Sequence, residues 1–84
     1  MKRIITNETG WEALLGENVL VFATNYIYAG RLTGVNEKTV ELSEPKIVYE
    51  TGPFDEKGYK DAQSLPAEKW NVCTSSVESF GKGK

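Results

Sequence analysis

The chain has 84 residues and a mass of 9.3 kDa, which suits one domain that buries roughly two thirds of the surface its unfolded form exposes. Its one cysteine, Cys73, excludes an intrachain disulfide, and with no histidine in the sequence a lone thiolate does not make a tetrahedral zinc site. A formal net charge of -2 argues against a surface that grips phosphate everywhere and leaves room only for a local basic site.

Residues 1–8 read as an N-terminal arm. Lys2 and Arg3 precede only Ile4 and Ile5 before polar sequence resumes, which is short of the apolar region of a signal peptide. No run approaches the roughly 20 apolar residues of a membrane helix. A cytoplasmic protein is expected, in keeping with the unpaired thiol. Oligomerisation is then the common remaining route by which so small a scaffold gains stability.

A short helix is expected over residues 9–16. Thr9 and Glu12 are spaced as a capping box, Gly16 can end the helix in a left-handed conformation, and Trp11, Leu14 and Leu15 share one face. Val19 to Ala23 form an apolar run of strand length, which implies a first strand covered on both faces, in part by the helix and in part by a neighbouring subunit. The second strand, residues 26–35, places Tyr26, Tyr28, Gly30, Leu32 and Gly34 on one face and Ile27, Ala29, Arg31, Thr33 and Val35 on the other. Neither face is purely apolar, and a bend is expected at Gly30.

Asn36, Glu37 and Lys38 form a turn into the third strand, in which Val40 and Leu42 point inward. A break or bulge is expected near Glu44 and Pro45, before Ile47, Val48 and Tyr49 resume the strand and end the 18–50 region of the first three strands. Residues 51–67 hold glycine and proline breakers with no sustained period, and read as one long loop. The last two strands fall within residues 68–80, with Trp70 and Val72 on one face, a turn at Ser75 and Ser76, and a short final strand from Val77 to Phe80. Residues 81–84 read as a frayed tail.

A mainly β chain with a short N-terminal α-helix, then five strands of which the second bends at a glycine, has the order of a small SH3-like barrel, and its details resemble the Sm and Sm-like family. Gly16, Val19, Val21, Tyr28, Gly30 and Leu32 fill places of the family's first motif. Asn36 stands where the family has an acidic residue, and Val40 where it has an asparagine. Val72, Cys73, Thr74, Ser75, Ser76 and Val77 align with the second motif, with Cys73 and Thr74 in place of its arginine and glycine. The resemblance implies a strongly bent five-stranded barrel and a homo-oligomeric ring in which the last two strands of successive subunits pair. It also implies a single-stranded RNA or DNA partner, RNA first, and suits a bacterial or phage source.

In such a ring the turns at residues 36–39 and 73–76 would line the pore and repeat each contact once per subunit. The candidate nucleic-acid-binding residues are Asn36 and Lys38 for base and phosphate, Arg31 for phosphate or stacking, and Ser75 and Ser76 for hydrogen bonds. Asn36, Glu37 and Lys38 are equally ordinary hairpin-turn residues. Phe54 and Tyr59 could stack on bases, but pinning the long loop to its own barrel is favoured. Tyr26, Tyr28, Trp11 and Trp70 are expected in core and rim, and Cys73 as a small buried or interfacial thiol. No enzyme is expected: the acidic residues show no paired spacing, Gly30 and Gly34 lie inside a strand, and Cys73 has no histidine beside it. No cofactor, metal or membrane is implied. The alternative function is a structural or protein-interaction ring without nucleic acid.

Overall fold

A computed structural model describes residues 10–84; the expected arm at 1–8 and the capping residue Thr9 lie outside the described residues. Six antiparallel strands follow in chain order: β1 (Asn18–Ala23), β2 (Ile27–Val35), β3 (Thr39–Glu50), β4 (Asp61–Ser64), β5 (Lys69–Cys73) and β6 (Val77–Lys82). They form one open sheet in the order β4-β3-β2-β1-β6, with β5 also paired to β3.

In place of the expected helix, the described residues before β1 hold one 3-10 turn, Glu12–Leu14. The physical reason is length: an isolated helix of two turns does not repay its nucleation, and the sheet claims the backbone directly after it. Gly16 donates to the Leu32 carbonyl at 2.7 Å, and Leu32 donates to that of Glu17 at 2.9 Å. Gly16 does adopt the left-handed conformation, at φ 85°.

β3 is the spine. Its first half, Thr39 to Ser43, pairs with β5, and its second half, Lys46 to Glu50, pairs with β4. Between them Glu44 has φ 52° and Pro45 is fully buried, so the strand changes neighbours at the expected place without being interrupted. The facing strand bends to match, with a register shift between Ala29 and Arg31. A Cβ on Gly30 would lie 2.9 Å from the Ser43 carbonyl oxygen, so only glycine lets the two backbones approach there.

The bend leaves two apolar clusters, one on each side of the sheet. Val19, Val21, Leu32, Val40, Leu42 and Val72 enclose the main core, closed by Trp11 stacked on Phe80 at 3.5 Å and 10°. Leu20, Ala29 and Val48 form the second cluster, against which Phe22, Ile27 and Tyr59 pack. β1 is therefore covered on both faces by its own chain, through Trp11 and Tyr59, and the neighbouring subunit expected to cover it is not required for that.

Two further expectations change. The stretch 51–67 is not a single loop, because β4 lies inside it. All four residues of β4 are exposed, and one side-chain hydrogen bond, from the Tyr49 hydroxyl to Gln63 Oε1 at 3.1 Å, joins its backbone ladder to β3, so no apolar alternation marked it. The tail is not frayed. β6 runs to Lys82, and Gly83 donates to the Asn18 carbonyl at 2.7 Å, continuing the β1–β6 ladder.

Candidate nucleic-acid interface

The β2–β3 turn is built by one side chain. Asn36 Oδ1 accepts from the backbone N–H of Lys38 at 2.8 Å and of Thr39 at 2.9 Å, while Asn36 N–H donates to the Thr39 carbonyl at 2.9 Å. This is the self-capping for which asparagine is selected at turns. The Nδ2 donors make no hydrogen bond among the described residues, and the side chains of Asn36 and Lys38 stay exposed.

A second turn is fastened to the first. β5 ends opposite Thr39 at Cys73, and the chain then makes the 3-10 turn Thr74–Ser76. Thr74 N–H donates to the Lys38 carbonyl at 2.8 Å, and its hydroxyl lies 3.1 Å from that oxygen and 3.2 Å from the Glu37 carbonyl. Ser76 Oγ donates to the Cys73 carbonyl at 2.9 Å, and the Ser76 carbonyl accepts from Thr24 N–H at 2.8 Å. The two segments named from the sequence are thus brought together, with Asn36, Lys38, Ser75 and Ser76 on joined turns and Ser75 exposed. Thr74 makes the junction. The sequence placed it at a motif position without giving it this role, and a threonine directly after a strand was the only signal.

Arg31 is not part of this group. It lies five residues back along β2, about 16 Å away at the rise of a strand, on the face that carries Ala29. Pairing of Ala29 with Lys46 and of Arg31 with Ser43 sets Lys46 beside it. Arg31, Lys46 and Lys84 line a cleft of about 160 Å³, with Glu44 at the same rim and Tyr59 in its wall. The described ion pairs are Lys60 with Glu50, Lys69 with Glu41 and Lys82 with Glu17, all between exposed side chains. Among the described residues Arg31, Lys38 and Lys46 make none, so the cations at both places are free for an anion.

The remaining candidates divide. Cys73, expected buried or interfacial, is exposed on this chain, because alternation that turns Val72 into the core turns its neighbour out. Tyr28 packs on the main core and Tyr26 meets it edge-on at 6.1 Å from the rim. Tyr59 pins the long loop to the second cluster, whereas Phe54 is 66% exposed. Among the described residues no group of three or more His, Cys, Asp and Glu side chains converges as a metal site, and no helix is long and apolar enough to cross a membrane. Comparison with family models, curated proteins and solved structures returned no match to this chain.

Proposed function

We propose that the protein is a divergent Sm-like domain that assembles into a homo-oligomeric ring and binds single-stranded nucleic acid, RNA foremost, as a chaperone or processing accessory. In this reading β1, β2, β3, β5 and β6 are the five strands of the bent barrel. β4 is an additional strand hung on the outer half of β3. The single observation that carries the reading is the joining of the 36–39 and 74–76 turns through Thr74. It gathers an unpaired lysine, a carboxamide with free donors and an exposed serine on one small surface.

Assembly rests on the sheet edges. β5 pairs only with β3, and β6 only with β1, among the described residues. Each therefore offers a row of backbone donors and acceptors to another chain, and a head-to-tail pairing of β5 with the β6 of the next copy can close a ring. Lys38 then supplies one phosphate contact per subunit, Asn36 Nδ2 and Ser75 Oγ read a base edge, and Ser76 fixes the turn. Arg31 with Lys46 forms a separate phosphate contact on the opposite face of the sheet.

A protein-interaction ring without nucleic acid is the second reading. It is favoured by the net charge of -2 and by Asn36 Oδ1 being committed to its own turn. Fluorescence anisotropy of labelled single-stranded RNA and DNA oligomers at low and at physiological salt separates the two. The proposed function predicts binding that weakens as salt rises and falls in Lys38→Ala and Asn36→Asp. The aspartate keeps the turn-forming acceptor and removes the donors. An absence of binding at both salts would replace this reading by the second.

A further inference from the structure

On the other side of the molecule, the loop between β3 and β4 closes around one ammonium group. Lys84 Nζ donates to the carbonyl oxygens of Thr51 at 2.7 Å, Pro53 at 2.8 Å and Gly58 at 2.8 Å. It also lies 5.0 Å from the ring centroid of Tyr59 and 5.6 Å from that of Phe54. An alkylammonium has three N–H donors and no acceptor, and here three carbonyls take all three while two ring faces stabilise the charge.

The receptor is built from the loop itself. Gly52, at φ 69°, turns the backbone so that the carbonyls on either side of it, those of Thr51 and Pro53, face the same point. Lys60 N–H closes the base of the loop on the Thr51 carbonyl at 3.4 Å, and Glu56 N–H donates to the Pro53 carbonyl at 3.2 Å. Tyr59 anchors the far wall, with its ring on the second apolar cluster and its hydroxyl accepting from Lys84 N–H at 3.2 Å. Three carbonyl oxygens aimed at one point repel one another unless a cation stands between them. The arrangement also discriminates among cations: a quaternary ammonium can use the rings but has no N–H for the oxygens.

We infer that residues 51–60 form a receptor for a primary alkylammonium, such as a lysine side chain, which Lys84 fills in this chain and which a free primary amine enters when the Lys84 side chain is shortened. Seated, Lys84 holds the loop over the sheet face that carries Leu20, Ala29 and Val48, and occupancy of the receptor governs whether that face is covered.

The test is amide hydrogen exchange of the full chain carrying Lys84→Ala, compared with the parent protein. The variant's amides over residues 54–60 should exchange roughly tenfold faster, the loss of a charge-assisted anchor, while those of β1 and β2 stay unchanged. Lys84→Met, which keeps an apolar stem, should behave like the alanine variant. Added n-butylammonium chloride should restore protection, and tetramethylammonium or sodium chloride at the same ionic strength should not. If either variant is folded but too destabilised for local exchange to be resolved, the same salts are compared by thermal midpoint, and n-butylammonium alone should raise it. Loop amides as protected in Lys84→Ala as in the parent, or a loop restored no better by n-butylammonium than by tetramethylammonium, would overturn the inference.

Discussion

Asn36 commits only half of its carboxamide to structure: the oxygen holds two backbone N–H groups of the turn, and the side chain is otherwise exposed. Asn36→Ala leaves those donors without their partner and should destabilise the protein by about 1 kcal/mol, whereas Asn36→Asp should stay close to the parent in a urea titration. Equal losses in both would show that the acceptor does not hold the turn. Gly30 is the stricter position. Gly30→Ala drives a Cβ to 2.9 Å from the Ser43 oxygen and 3.1 Å from Leu42 Cβ, and should cost roughly 1 to 3 kcal/mol as overpacking; an unchanged denaturation midpoint would mean that the bend relaxes freely. Both roles were legible, since an asparagine in a short polar turn and a glycine within a strand each have few physical uses. Arg31 was legible only as to its face. Which residues stand beside it depends on the β2–β3 register: Gly30 and Pro45 mark where the strands bend, but not that the shift there pairs Ala29 with Lys46 and Arg31 with Ser43.

The strands with apolar residues were open to reading and the strand without them was not. β1 is an unbroken apolar run buried on both faces, and β2, the first half of β3 and β5 carry side chains that enter the main core, so apolar content places them. β4 is Asp-Ala-Gln-Ser, exposed throughout, and is held to the outer half of β3 by backbone pairing and the Tyr49–Gln63 side-chain hydrogen bond. Its amides should exchange faster than those of β1 and β2, and equal protection would show that it is part of the cooperative core. The segment before β1 failed in the opposite sense: its helical spacing is real, but Gly16 and Glu17 are drawn into hydrogen bonds with β2. What remains useful of it is Trp11, which is 3% exposed and stacked on Phe80. Phe80→Ala should cost about 2 to 3 kcal/mol, below a fully buried phenylalanine because Phe80 is only partly covered, and should shift tryptophan emission to the red. An unshifted spectrum would mean that the stack does not shield Trp11.

Across the whole molecule, β4, β5 and β6 each pair with one strand only among the described residues, and the Thr74–Ser76 turn that carries Ser75 links β5 directly to β6. The chain covers both faces of β1 by itself through Trp11 and Tyr59. Pairing of copies is therefore not needed to complete the core. The edges were legible as strands that end the sheet with little charge, but the closing of the C-terminal segment onto β1 and the loop was not, because Gly-Lys-Gly-Lys has no apolar content and is held by backbone pairing and one ammonium. Native mass spectrometry of the protein with and without a single-stranded RNA oligomer tests the central claim most directly. The account predicts one closed multiple of the 9.3 kDa chain that takes up an oligomer as an intact assembly; a single chain in both samples, with no RNA adduct, would contradict it.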